Sequence, residues 1–231
     1  MLSIVTINRN NADGLSKTIA SLQKQSSDNF EWVFIDGNST DNSFLVAKAF
    51  QRQNDVVISE SDSGIYNAMN KGITKASGEM IIFLNSGDVF SGSDAIDRIY
   101  RHWTSRLQLL LFGFEVRSKV RMPKALWWRF WSMPTSHQAL IYSRNLLQQF
   151  YFDENYRFAA DFEHFLRICR NSLSYKRIQE LLVINEVYGS DANLPKVLTE
   201  YRDALIVNHC PKLWANFVYK FKTYYLNWVL K

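Results

Sequence analysis

Short apolar runs alternate with helical patterns through the first half of the chain. Four runs have the length of a buried strand: Leu2–Ile7, Glu31–Asp36, Val56–Ile58 and Met80–Leu84. Between them, apolar residues recur every three or four positions, which is the spacing of one face of a helix. Ser93 is expected to cap the last of these helices. Strands that alternate with helices predict an α/β fold, with a mostly parallel sheet and helices on both faces.

The second half has a less regular pattern. Leu107–Phe114 predicts a strand, and Ser136–Tyr142 predicts a shorter one with a polar start. Phe158–Arg167 starts a helix and places Asp161 near its first turn.

The composition is that of an ordinary folded protein. Hydrophobic residues make up 47% of the chain and charged residues 21%, which excludes a disordered chain. The net charge of +5 suits anionic ligands or an anionic surface. Two cysteines lack metal-ligand spacing, so reduced thiols are expected. Neither a secretory signal nor the roughly 20 apolar residues of a membrane span is found.

Three aspartates end the predicted strands or follow them closely. Asp36 ends the second run, while Asp62 and Asp88 follow the third and fourth. Ligands bind beyond the carboxyl ends of parallel strands, so these acids, with Thr6 and Asn8, are expected at one rim of the sheet. Such a rim suits a nucleotide diphosphate and a divalent cation. Two plainer roles stay open, a helix cap for Asp36 and a turn position for Asp88.

Six motifs occur in order over roughly three quarters of the chain. They are Ser3–Asn8, Phe34–Asp41, Gly64–Gly72, Phe83–Asp88, Ser136–Gln138 and Ala160–Asp161. With these motifs the chain resembles the family 2 glycosyltransferases, which have the nucleotide-sugar-binding GT-A fold. It looks closest to the bacterial branch that builds colanic acid, O-antigen and capsule repeat units.

The resemblance implies a role for each matching side chain. Four residues would hold the nucleoside: Thr6, Asn8, Asp36 and Asp62. Asn85 and His137 would also contact the nucleotide sugar, although His137 can equally belong to the scaffold. Asp88 matches the acid that holds Mg²⁺ or Mn²⁺ on the diphosphate. Asp161 matches the catalytic base.

Two positions depart from the family pattern. Ser86 and Gly87 precede Asp88, so only one carboxylate of the DxD-type motif remains. A cation would then depend more on the diphosphate oxygens, as Mg²⁺ commonly does. Asn67 stands where the family usually has Asp, and no charged role is assigned to it.

Glycosyl transfer from a nucleotide sugar needs a cation and a base. The cation neutralises the charge that grows on the leaving phosphate, and a carboxylate on the opposite face accepts the proton of the attacking hydroxyl. One such attack inverts the anomeric configuration. Asp161 is the expected base, but a helix dipole favours any acid in a first turn. Asp153 and Glu163 are the neighbouring acids that could serve instead.

The resemblance also divides the chain. Residues 1–190 are expected to form the GT-A domain, with a nucleotide-binding half at 1–105 and an acceptor-side half at 106–190. Residues 191–231 are expected to form a basic, aromatic helical extension.

The end of the chain predicts a surface helix. Its aromatic and apolar residues fall near one helical face: Leu213, Phe217, Phe221, Tyr224 and Trp228. Lysines among such residues favour an interfacial helix on a membrane, with packing on the domain or a dimer contact as alternatives. Trp127–Trp131 can line the acceptor site, enter the membrane interface or lie in the core. No nucleic-acid partner is expected.

The sequence thus predicts an inverting glycosyltransferase that moves a hexose or N-acetylhexosamine from a nucleotide diphosphate sugar, UDP-linked by the resemblance. The expected acceptor is a saccharide on polyprenyl diphosphate, and the expected location is the cytoplasmic face of the inner membrane, bound peripherally. A nucleotidyltransferase is disfavoured because no glycine-rich loop follows the first strand. The alternative is a non-catalytic nucleotide-sugar-binding scaffold protein of the same fold.

Overall fold

A computed structural model of the chain describes residues 1–186 and 193–229. The strands in these ranges are β1 (Leu2–Asn8), β2 (Phe30–Asp36), β3 (Val56–Ser59), β4 (Met80–Phe83), β5 (Val89–Phe90), β6 (Leu109–Val116), β7 (Lys119–Arg121), β8 (Leu140–Ser143) and β9 (Tyr175–Ile184). The helices are α1 (Ala12–Gln23), α2 (Ser43–Phe50), α3 (Ile65–Lys75), α4 (Ala95–His102), α5 (Arg144–Gln149), α6 (Ala160–Ile168), α7 (Leu194–Val207) and α8 (Lys212–Val229).

The described strands form one sheet in the order β3-β2-β1-β4-β8-β6-β9-β5, with β7 paired to β6. The first four strands of this order are parallel, as the alternating pattern predicts. β8 runs antiparallel to both β4 and β6, and β6 and β9 are parallel. The predicted α/β fold is confirmed, and antiparallel pairs enter only with the less regular second half.

Helices bury both faces of the parallel strands, which is why β1 and β2 are buried at every position. Leu2 and Ile4 of β1 pack in one cluster with residues of α1, α2 and α4. Val5 and Ile7 pack in another with residues of α3, α5 and α6. Alternate β1 side chains thus enter opposite cores, because successive residues of a strand point to opposite faces.

Two helix starts show how local chemistry sets the element bounds. Asn11 caps α1, since its side-chain oxygen accepts a hydrogen bond from the Gly14 N–H at 3.0 Å. The expected Ser93 cap of α4 is wrong, because Asp94 is the N-cap residue. The Ser93 carbonyl instead accepts hydrogen bonds from the backbone and hydroxyl of Ser26.

The structure differs from the predicted pattern in three further respects. The polar start of the Ser136–Tyr142 run forms a 3₁₀ turn, His137–Ala139, and β8 begins only at Leu140. Strands β5, β7 and β9 have no counterpart in the sequence prediction. The described part of the expected extension forms two helices, α7 and α8, where the sequence prediction did not separate them.

The C-terminal helices pack in series, α7 on α6 and α8 on α7. Ala204 of α7 and Val218 of α8 lie in one buried cluster with Phe162 and Leu166. The opposite face of α8 remains exposed, with Leu213 at 88% and other large apolar and aromatic side chains beside it. Within the described ranges, no helix combines the length and hydropathy needed to cross a membrane.

Candidate active site

The carboxyl ends of β1, β2 and β3 place Asn8, Asp36 and Ser59 in one row across the sheet. Asn8 Nδ2 donates to Asp36 Oδ1 at 2.9 Å, and Ser59 Oγ donates to Asp36 Oδ2 at 2.7 Å. Ser39 adds its backbone N–H and its hydroxyl to the same carboxylate. The expected rim of polar groups therefore exists, with Asp36 at its centre.

Asp36 has no exposed surface and a fully occupied carboxylate. Burial opposes its ionisation, but hydrogen bonds from Ser39, Ser59 and Asn8 outweigh burial and lower the pKa of Asp36. Such a carboxylate orders the loop around Ser39 and has little capacity left for a ligand. Asn8 retains more capacity for a ligand than Asp36 does, since its Oδ1 has no hydrogen-bond partner among the described residues.

The Thr6 side chain, which is expected to contact the nucleoside, points into the core. Thr6 is fully buried, and its hydroxyl accepts a hydrogen bond from Trp32 Nε1 at 2.9 Å. It lies on the same face of β1 as Leu2 and Ile4, so its side chain enters the core below the rim.

Asp62 joins the rim from the loop after β3. Its Oδ1 accepts a hydrogen bond from the Gly64 N–H at 3.0 Å. A Cβ on Gly37 would lie only 2.4 Å from Asp62 Oδ2, so the carboxylate packs directly over this glycine. Gly37 follows Asp36, and two of the three predicted aspartates thus meet at one place.

The turn between β4 and β5 carries Asp88. Thr18 of α1 fixes this turn, because its hydroxyl accepts from the Gly87 N–H at 2.9 Å and donates to the Asp88 carbonyl at 2.8 Å. Gly87 has φ +103°, and a Cβ there would lie 1.7 Å from the Glu186 carboxylate. Only glycine fits both the backbone conformation and the approach of Glu186.

The Asp88 carboxylate is buried between two protein donors. Its Oδ1 accepts from the Glu186 N–H at 2.9 Å, and its Oδ2 accepts from Gln138 Nε2 at 3.1 Å. Burial raises the pKa of Asp88 to about 6, and it outweighs these hydrogen bonds. A nearby divalent cation would favour the ionised form of such a group.

The donor set around Asp88 fits a hard cation that takes few protein ligands. The described residues contain no cluster of three or more His, Cys, Asp or Glu able to hold a metal ion by themselves. Asn85 Oδ1 and Ser86 Oγ are buried oxygen atoms without hydrogen-bond partners in the described ranges. One carboxylate, with neutral oxygens two and three residues before it in the sequence, suits Mg²⁺ or Mn²⁺ that also binds diphosphate oxygens.

Asp161 lies in the first turn of α6 and receives two side-chain hydrogen bonds. Tyr66 donates its hydroxyl to Asp161 Oδ1 at 3.2 Å, and His137 Nδ1 lies 3.3 Å from Oδ2. Burial opposes ionisation, but the His137 contact and the Phe162 N–H outweigh it and lower the pKa of Asp161. Burial and the Asp161 charge raise the pKa of Tyr66, which stays a donor. Asp161 is therefore an ionised carboxylate able to accept a proton.

His137 and Gln138 link the two acids. Gln138 contacts Asp88, and the preceding residue His137 contacts Asp161. His137 Nε2 also lies 3.4 Å from Asn85 Nδ2, which belongs to the loop that leads to Asp88. His137 thus contacts Asp161 with one ring nitrogen and Asn85 with the other. The 3₁₀ turn thus holds the metal-site candidate and the base candidate in one arrangement.

The two alternative acids for the base are engaged elsewhere. Glu163 is buried and accepts hydrogen bonds from Arg167 with both oxygens, at 3.0–3.2 Å. Asp153 Oδ1 accepts from the backbone and side chain of Asn155 within a turn. Of the three candidate acids, Asp161 is the one that His137 contacts.

Several site residues escaped the sequence prediction. Tyr66 and Gln138 lie inside matched motifs, but their contacts to Asp161 and Asp88 depend on the packing of distant elements. Glu186 follows β9, and no local pattern connects it to the turn that holds Asp88.

With this geometry in place, comparisons with known proteins decide the family. The model of the family described as glycosyl transferase family 2 matches residues 3–172. The chain belongs to glycosyl transferase family 2. It is 31% identical over 177 residues to a glycosyltransferase of Mycobacterium tuberculosis, Rv1514c, covering 72% of this chain and 68% of the relative.

Solved structures of other proteins share the fold. Staphylococcus aureus TarS 1-349 in complex with UDP-GlcNAc gives a TM-score of 0.68 at 16% identity, over 94% of this chain and 70% of that one. The chain spans 42% of a longer TarS chain. The mannosyltransferase PcManGT from Pyrobaculum calidifontis, in complex with GDP-Man and Mn²⁺, gives 0.67 at 13% identity, over 98% of this chain and 74% of that one.

Proposed function

We propose that this family 2 glycosyltransferase moves a hexose or N-acetylhexosamine from a UDP-linked donor to a lipid-linked saccharide, with inversion. The observation that carries the proposal is the turn at His137 and Gln138, which joins a buried carboxylate suited to a cation with an ionised carboxylate suited to a base. The acceptor is a repeat unit on polyprenyl diphosphate, in the synthesis of a bacterial surface polysaccharide such as O-antigen.

Each acid has one task in this mechanism. Asp88 would hold Mg²⁺ or Mn²⁺, and such a cation would supply charge neutralisation at the leaving diphosphate. Asp161 accepts the proton of the acceptor hydroxyl, while His137 and Tyr66 hold its two oxygens in place. Asn8 and Asp62 bind the nucleoside at the rim, with Asp36 ordering the loops around them.

Two observations support the choice of donor and cation. TarS has been solved with UDP-GlcNAc, and PcManGT with GDP-Man and Mn²⁺. Asn8, Asn85 and Ser86 each have a side-chain oxygen without a hydrogen-bond partner among the described residues, and such an oxygen can accept from a nucleoside N–H or bind a hard cation.

The exposed face of α8 supports a location at the inner membrane surface. Tyr224 and Trp228 are 74% and 69% exposed, in a helix whose first turn contains no acid. Trp127, 65% exposed, adds to the aromatic surface from the neighbouring segment. Exposed aromatic residues beside lysines are typical of interfacial helices.

Calorimetric titration with UDP, GDP and dTDP, each with and without Mn²⁺, tests the proposed function. We expect UDP to bind tightly only when Mn²⁺ is present. Asp88→Asn should remove the Mn²⁺ dependence, because the amide is a weaker ligand, while the exposed Asp94→Asn should retain it. If a folded sample binds none of the three nucleotides, the catalytic proposal is wrong and the non-catalytic scaffold is favoured.

A further inference from the structure

A cavity of about 550 Å³ lies between the segment 121–134 and α8. This volume is within the range of small-molecule sites in proteins. Its walls are mainly apolar and aromatic, with Trp128, Trp131 and Phe221 among them, and none of its lining residues is acidic.

Three cations face the cavity: Arg121, Lys124 and Lys222. No carboxylate pairs with any of them among the described residues, and their side-chain contacts there are with aromatic rings. Lys222 Nζ lies 5.7 Å from the ring centre of Trp131 and 5.1 Å from that of Tyr201. Three positive charges without a negative partner indicate that the cavity suits an anion.

Of the three cations, Lys222 gives the strongest indication that the cavity suits an anion. Burial lowers its pKa to about 8, because the ammonium group loses water and gains no carboxylate. Aromatic faces offset only part of such a loss. An anion in the cavity would supply the missing charge.

A chain of side-chain contacts leads from the cavity to the helix that carries Asp161. Tyr201, under the Lys222 ammonium group, stacks on Phe162 with ring centres 4.2 Å apart, and Phe162 follows Asp161 in α6. The cavity wall also includes Pro134, close in sequence to His137. These contacts connect the cavity with α6, the helix that carries the candidate base.

We propose that this cavity binds the phosphate-bearing end of a polyprenyl lipid, the carrier of the acceptor saccharide. Lys222, with Lys124 and Arg121, binds the phosphate groups, and the aromatic walls pack against the first isoprenoid units. Inorganic phosphate would leave the apolar walls unused, and a neutral lipid would leave the cations unpaired. The inference rests on the proposed function and adds the residues that recognise its acceptor.

Titration of the full chain with farnesyl diphosphate, followed by tryptophan fluorescence, tests this assignment. Divalent cations are left out, so that the diphosphate cannot bind through a metal at Asp88. Farnesol and inorganic diphosphate are the matched probes, each lacking one half of the ligand. We expect farnesyl diphosphate to bind at least about tenfold more tightly than either, because one charge-assisted contact contributes about that factor.

Lys222→Met removes the charge and keeps most of the packing volume. We expect it to weaken farnesyl diphosphate binding about tenfold, while the exposed Lys220→Met on the same helix has no effect. Lys124→Met gives a second variant on a different element, should Lys222→Met fail to fold.

Farnesol binding as tightly as farnesyl diphosphate would overturn the anion assignment, and inorganic diphosphate binding as tightly would overturn the lipid assignment. Unchanged affinity in folded variants of both lysines would overturn the site. The nucleotide titration separates this failure from failure of the proposed function. A protein that binds UDP with Mn²⁺ but ignores farnesyl diphosphate retains the donor chemistry and loses only this inference.

Discussion

Asp161 owes its chemical role to its neighbours more than to its helix position. Asp161, Glu163 and Asp153 all lie near the start of α6, and sequence alone left them as rivals. Arg167 binds Glu163, whereas His137 and Tyr66 bind Asp161. The difference between a structural acid and a candidate base therefore arises from contacts across the fold.

Asp161→Asn should abolish glycosyl transfer and leave nucleotide binding unchanged. The amide keeps the shape of the side chain but cannot accept the proton, and a positioned base contributes about 10²–10⁴-fold to rate. Transfer kinetics and nucleotide titration on the same preparation measure the two effects. Asp153→Asn is the matched control and should remain active, since its carboxylate only closes a local turn. Transfer by Asp161→Asn at the unmodified rate would show that another group is the base.

The positions of some candidate site residues could be predicted from sequence, because the motif fixed where they lie on the fold. Asn8 and Asp62 lie at the rim because strand ends set their place. Thr6 does not join them at the rim. Side chains alternate along β1, and this alternation places Thr6 on the same face as Ile4, inside the core. Glu186 could not be predicted, since its contact with Asp88 joins distant parts of the chain.

Among the elements, the turn between β4 and β5 does more than connect two strands. Thr18 of α1 closes it through two hydrogen bonds, and Gly87 gives space to the Glu186 carboxylate. The turn is therefore held by a helix on one side and by the end of β9 on the other. This support fixes Asp88 although the family's second carboxylate is absent.

Gly87→Ala should weaken Mn²⁺-dependent nucleotide binding about tenfold or more, because the new methyl group displaces either Glu186 or the turn. Strain at positive φ should also cost about 1–3 kcal/mol of folding stability. Gly92→Ala is the control, since Gly92 has a similar φ of +99° and a Cβ there meets nothing closer than 3.3 Å. Chemical denaturation and nucleotide titration separate the two effects, and equal loss of binding in both variants would contradict the role of the turn.

The helices and strands of the parallel half could be predicted from the pattern of apolar residues. Both faces of β1 and β2 are covered, so their apolar runs are continuous. Other elements could not be predicted, because they are short or only partly buried. β7 is exposed throughout, and β5 is just Val89–Phe90, so neither leaves a pattern of its own. Both depend on pairing with another strand, since β5 pairs with β9 and β7 pairs with β6.

At the scale of the whole molecule, α8 combines a buried face with an exposed aromatic one. α8 packs Ala215 and Val218 against the domain and leaves Leu213 and Phe217 uncovered. Of the three arrangements that the sequence left open for this helix, packing on the domain is present. Packing of one face is also compatible with contact between the other face and a membrane.

Leu213→Ser should reduce binding to anionic phosphatidylglycerol vesicles roughly tenfold, since one buried leucine contributes about that factor. Co-sedimentation at low and high salt measures the bound fraction, and binding should fall as salt screens the lysines. Leu45→Ser on α2, an exposed leucine on a different helix, should have no effect. Equal loss in the two variants, or no vesicle binding by the unmodified chain, would count against the membrane surface of α8.

The chain of contacts from Asn85 through His137 to Asp161 has a consequence for the order of events in catalysis. The loop proposed to receive the donor diphosphate is the same loop that contacts the candidate base through the imidazole. Donor binding would therefore set the orientation of Asp161 before an acceptor arrives. An enzyme built in this way favours an ordered sequence, donor first, and so protects an activated sugar from attack by stray water until the correct hydroxyl is present.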